Sequence, residues 1–110
     1  MTQFPPINPR LPCLWHGADY SPEQWTPDIW QEDMRLMRLA RCNVMSVGIF
    51  AWAALEPEEG CYRFEWLDQV LDLMAENNVY ALLATPSGAK PAWLAAKYPG
   101  RIAAGVDARD

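Results

Sequence analysis

The sequence predicts an α/β fold: the N-terminal portion, about three βα units, of a TIM (β/α)8 barrel. Three observations carry this. Short apolar runs alternate with amphipathic helical patterns, the order expected of a parallel sheet built from strand–helix units. The candidate strands begin near Leu14, Val44 and Val79, a recurrence of roughly 30–35 residues that fits the ~31 per unit of a ~250-residue eightfold barrel. The joints are also unequal. Helix-to-strand connections are short, at Arg41-Cys42-Asn43 and Asn77-Asn78, whereas strand-to-helix connections are long and rich in aromatic and acidic residues. A dinucleotide-binding sheet is the rival, but it requires G-x-G-x-x-G after the first strand, and Gly17-Ala18-Asp19-Tyr20-Ser21-Pro22 lacks that spacing.

Residues 1–13 read as an extended lead-in and residues 14–110 as an incomplete barrel. The first strand runs Leu14 to Tyr20. Ser21-Pro22-Glu23-Gln24 has the form of a capping box and predicts one helical turn. Thr26-Pro27-Asp28 offers a second start, with Thr at N-cap, Pro at N1 and an acid in the first turn, so a helix is expected from Pro27 to about Ala40. Its inward face carries Trp30, Met34, Met37 and neighbours such as Leu36.

Asn43 to Phe50 is the second strand, apolar enough to predict cover on both faces. A second long helix, Trp66 to about Asn77, places Leu67, Val70, Leu71 and Met74 at helical spacing. Val79 to Ala84 is the third strand, and Pro91 opens a short helix stopped by Pro99-Gly100. Beyond Ile102 the pattern fades; Ala103 to Asp107 suggests a further loop.

Composition narrows the function. The net charge is −5 and there is no basic patch, so nucleic acid is not an expected partner. No apolar stretch approaches the ~20 residues that cross a bilayer, and the N-terminus lacks the apolar core of a secretory signal. No membrane partner is expected. The three cysteines, Cys13, Cys42 and Cys61, are odd in number and widely spaced, which argues for reduced thiols in a cytoplasm and against a disulfide framework or a zinc site. His16 is the single histidine and lies inside the first strand, so it is read as structural; no metal or cofactor is expected.

The chemistry sits after the strands. Tyr20, Glu23 and Trp25 gather a phenol, a carboxylate and an indole. Such sets recognise sugars, because polar groups exchange hydrogen bonds with hydroxyls while flat rings pack on pyranose C–H faces. The alternative is that Glu23 supports the capped turn and Trp25 packs under it. Phe50, Trp52 and Glu56 follow the second strand; Glu56 either orients a polar group or closes the turn before Pro57. Thr85 ends the third strand, as a pocket hydroxyl or a turn cap. Glu58 and Glu59 read as solvated loop acids.

Taken in order, these segments resemble glycoside hydrolase family 42, the bacterial β-galactosidases. Gly17 to Trp25 matches a G-x-D-Y-x-P-E-Q-W strand end, Gly48 to Trp52 a G-x-F-A-W strand end, and Leu55 to Pro57 an L-E-P turn. Gly60-Cys61-Tyr62, Trp66-Leu67-Asp68, Thr85-Pro86, Pro91 to Leu94 and Tyr98-Pro99 continue the match in one register. The resemblance implies a β/α barrel and hydrolysis of terminal β-D-galactosides with retention, which needs two carboxyls about 5–5.5 Å apart. It further implies that both catalytic glutamates lie on later strands, past Asp110, so no catalytic residue is assigned here.

Tyr20, Glu23, Phe50 and Trp52 carry over as residues near or behind the galactose-binding end. A β-galactoside substrate and a homotrimer are implied for the full-length family. The chain is accordingly expected to be inactive alone; a non-catalytic carbohydrate-binding or complementing piece, or part of another barrel glycosidase, is the alternative. Two departures stand out: Arg41 and Asn78 occupy helix ends where the family has Gly.

Overall fold

The computed structural model describes residues 5–100. Three strands, β1 (Gly17–Tyr20), β2 (Val44–Val47) and β3 (Tyr80–Leu83), form one parallel sheet in the order β1-β2-β3. A 3-10 turn (Pro22–Gln24) and helix α1 (Pro27–Leu39) join β1 to β2, and α2 (Trp52–Leu55) and α3 (Glu65–Glu76) join β2 to β3. Helix α4 (Ala92–Lys97) follows β3. The expected strand–helix alternation is present, with strands shorter than the apolar runs because their flanks are used otherwise. Asn43 explains one such flank. Its side chain accepts from the His16 amide at 2.7 Å and donates to the Leu14 carbonyl at 2.8 Å, fastening the approach to β1, while its backbone N–H donates to His16 and its carbonyl accepts from Tyr80. Gly48, at φ 90°, ends β2.

Register decides which side chains face which way. Gly17, Val44 and Tyr80 are paired, as are Asp19, Ser46 and Leu82, and alternation sets these apart from Ala18, Tyr20, Met45 and Val47. Met45 and Val47 are buried against Trp30, Met34 and Met37 of α1 and Leu67, Val70 and Met74 of α3; Leu36, expected on the same face, is exposed because it lies a helical step off the stripe of Trp30, Met34 and Met37. The opposite face, with Val44, Ser46, Tyr80 and Leu82, carries no helix. The apolar run of β2 predicted cover on both faces; among the described residues only the helix face is covered. Gly17 permits the close approach of β1 to β2, since a Cβ there would lie 1.5 Å from the Val44 carbonyl oxygen.

Both long helices end alike. The Arg41 amide donates to the Arg38 carbonyl and the Cys42 amide to Met37, with Arg41 left-handed at φ 60°. Asn78 and Val79 repeat the pattern onto Ala75 and Met74, with Asn78 at φ 59°. These are Schellman closures, and each turns the chain straight into the next strand. The helix starts differ from expectation. Ser21 makes no side-chain cap; the turn after it closes through backbone bonds from Gln24 to Ser21 and from Trp25 to Pro22. The Thr26 hydroxyl donates to the Asp28 carboxylate at 2.6 Å instead of capping α1. Among the described residues no helix is long and apolar enough to cross a membrane. The loop expected at 103–107 lies outside the described residues.

Candidate functional site

Because the strands are parallel, the segments leaving β1, β2 and β3 all emerge at one edge of the sheet. This edge gathers the polar-aromatic clusters, whereas the opposite edge holds the two compact Schellman joints.

After β1, the Tyr20 side chain lies on the helix face. Its hydroxyl donates to Asp33 Oδ2 at 2.8 Å. Burial, the bond to Asp33 and the nearby charges of Asp33 and Glu23 push the phenol well above its ordinary pKa. Tyr20 therefore braces β1 against α1. The Trp30 indole donates to the Pro22 carbonyl at 2.8 Å and fixes the 3-10 turn. That turn delivers Glu23, whose two carboxylate oxygens are buried without a hydrogen-bond partner among the described residues. Trp25 is exposed at 56%. Tyr20 and Glu23 thus share one neighbourhood behind the rim.

After β2, Phe50 is half exposed and packs on Gly88, where an added Cβ would sit 3.0 Å from its ring. This contact joins the second rim segment to the third. Trp52 opens α2, and its indole donates to Glu56 Oε1 at 2.9 Å. The Gly60 amide donates to Glu56 Oε2 at 2.8 Å, and the Trp93 indole donates to the Glu56 carbonyl at 2.8 Å. Trp52 and Trp93 meet edge to face, centroids 6.4 Å apart. The Gly60 amide first, then the Trp52 indole, hold the Glu56 carboxyl below its usual pKa. Glu59, read from sequence as a solvated loop acid, is exposed, and it also binds Lys97 and the Tyr98 hydroxyl at the end of α4. Lys97 and then Tyr98 lower the Glu59 pKa.

The four residues expected near sugar therefore fall into two groups: Tyr20 and Glu23 under the first segment, Phe50 and Trp52 at the second and third. Asp19 was missed. It is the exposed carboxylate at the end of β1 on the helix-free face, within a cavity of about 320 Å³ shared with Trp15, Gly17, Val44, Ser46 and Leu82. Strand alternation alone separates it from Tyr20, and that parity is readable only once the register is known. Trp93 falls in the short helix that Pro91 opens, as expected, but nothing in its spacing linked it to Glu56. No group of three or more metal-ligating side chains occurs among the described residues.

Comparison with known proteins gives the family. The model of the Glyco_hydro_42 family, described as beta-galactosidase, matches residues 19–110. A β-galactosidase of Clostridium perfringens is 57% identical over 101 residues, covering 90% of this chain and 15% of that protein. One from Alicyclobacillus acidocaldarius is 50% identical over 111 residues, covering 99% and 16%. Among solved structures, the cold-adapted β-galactosidase of Rahnella sp. R3 superposes with a TM-score of 0.84 at 58% identity, over 89% of this chain and 15% of that one. The β-galactosidase of Bacillus circulans sp. alkalophilus gives 0.80 at 45%, over 84% and 14%. The chain thus spans about 15% of the length of the curated relatives it matches. Its three βα units are the N-terminal part of a (β/α)8 barrel. The family match runs through Asp19, the rim segments and both left-handed joints, and on that basis the chain belongs to glycoside hydrolase family 42.

Proposed function

We propose that this chain forms the first arc of a retaining β-galactosidase that hydrolyses terminal β-D-galactosides. The observation that carries the reading is the joint one. Identity of 57% to a β-galactosidase extends over 90% of the chain, and the matched polar-aromatic segments converge on one edge of a parallel sheet. In this reading the sheet edge is the galactose side, as for barrel enzymes generally. Phe50 and Trp52 supply aromatic surface, while Tyr20 and Glu23 support it from behind. The buried, unpaired carboxylate of Glu23 calls for a donor, which a sugar hydroxyl or a side chain from another strand can provide.

The nucleophile and the acid/base come from strands beyond residue 110. Residues 1–13 are a lead-in and 14–110 the barrel segment. The working protein is a homotrimer in the cytoplasm, the compartment that suits three unpaired thiols. The open sheet edges favour a second form of the same reading, in which a separate polypeptide supplies the remaining strands.

Nitrophenyl glycosides test this. The 110-residue chain is expected to release no nitrophenol from the β-galactoside. Joining it to, or co-expressing it with, the downstream part of the Clostridium perfringens relative restores release, with galactoside preferred to glucoside. Activity in the bare chain, or a restored enzyme that prefers the glucoside, overturns the reading.

A further inference from the structure

Glu56 is the buried charged side chain that the reading above leaves without a role. Both of its carboxylate oxygens already accept hydrogen bonds, from the Trp52 indole and the Gly60 amide. Held below its usual pKa by these donors, the carboxylate is a weak base for a substrate proton. Its backbone carbonyl meanwhile accepts from the Trp93 indole. One residue therefore holds two indoles that belong to different segments: Trp52 opens the helix after β2, and Trp93 lies in the helix after β3. The rings complete the link by their edge-to-face contact. A second tie, from Glu59 to Lys97 and Tyr98, runs between the same two segments.

We propose that Glu56 is a positioning residue for galactoside binding, fastening Trp52 to Trp93 so that the two indoles meet the sugar as one preset wall. The inference rests on this edge being the galactose side. The physical reason is preorganisation. An indole that must be immobilised when the sugar arrives costs affinity, up to about tenfold for a side chain with free rotamers. Glu56 removes that cost before binding. The Oε2 bond from the Gly60 amide also closes the turn around Pro57, but the Oε1 bond to the Trp52 indole is not needed for that.

The test uses a hybrid in which residues 5–100 replace the matching segment of the Clostridium perfringens β-galactosidase. Glu56→Ala is expected to raise KM for the nitrophenyl galactoside about tenfold, with kcat within about twofold. Glu56→Gln keeps an oxygen for the Trp52 indole and recovers most of the loss. Trp52→Phe, which lacks the indole N–H, raises KM similarly, and adding Glu56→Ala to it raises KM no further. A purely structural Glu56 would instead lower the yield of active enzyme at unchanged KM, and that result overturns the proposal.

Fluorotryptophan labelling supplies a readout independent of turnover. Glu56→Ala leaves the carbonyl that Trp93 uses but frees the Trp52 ring, so through their edge-to-face contact it must move the fluorine resonances of both indoles; movement of the Trp52 signal alone overturns the clamp. A wild-type hybrid that cleaves no galactoside would sink the functional reading, while the resonances still judge Glu56.

Discussion

Tyr20 shows how a rim residue can act from the wrong side of the sheet. Its phenol is held protonated by burial, by Asp33 and by surrounding negative charge. Unfolded tyrosine ionises near pH ~10, and the folded group ionises higher. The contribution of Tyr20 is therefore complete below pH ~10 and is lost as pH rises from there through the folded pKa. In the hybrid enzyme, urea midpoints measured against pH should fall in this alkaline window more steeply for the wild type than for Tyr20→Phe. Parallel curves would mean that Tyr20 does not brace β1 in solution. Asp19, one residue earlier, faces the opposite way. The G-x-D-Y match contains both residues but singled out Tyr20 alone; which one faces the helix-free side follows from pairing with Ser46 and Val47, a property no local spacing contains.

At the scale of elements, the helix ends repay study. Arg41 stands at a left-handed position that glycine adopts without steric cost. Arg41→Gly is expected to stabilise by roughly 0.5–1 kcal/mol, the relief of left-handed strain partly offset by the greater freedom of glycine in the unfolded chain. Asn78→Gly should gain less, since Asn tolerates the conformation. Denaturant midpoints of the hybrid enzyme check both; an unchanged midpoint for Arg41→Gly would show that the strain is compensated elsewhere.

These joints were legible from sequence because helical periodicity stops abruptly at Ala40 and Asn77. Helices α1 and α3 were legible for the same reason, through Trp30, Met34 and Met37 and through Leu67, Val70 and Met74. Helix α2 was not. Four residues give too little periodicity to detect, and Glu56 closes that turn through the Trp52 indole, a contact without a sequence signature. The caps expected at Ser21 and Thr26 failed because backbone bonds and an Asp28 partner supplied alternatives.

The whole molecule is a slab, one sheet with one helix layer, 20 Å in its thinnest dimension. Its radius of gyration, 17.4 Å, exceeds the ~13 Å of a compact domain of this length. Tyr80, Leu82 and Leu83 on β3 are each more than half exposed, and β1 and β3 are both sheet edges. Such edges and bare apolar side chains invite pairing with other chains. The isolated chain is expected to associate with rising concentration in light scattering, to bind apolar dyes and to melt without a sharp transition. Leu82→Lys should reduce the association several-fold. A monomer that melts sharply would contradict this.

Strand order in space equals strand order along the chain. Each unit can therefore settle on its predecessor as it leaves the ribosome, without threading past what is already placed. Nascent β3 would offer its free margin to whichever strand is translated next, and the growing arc would serve as its own template.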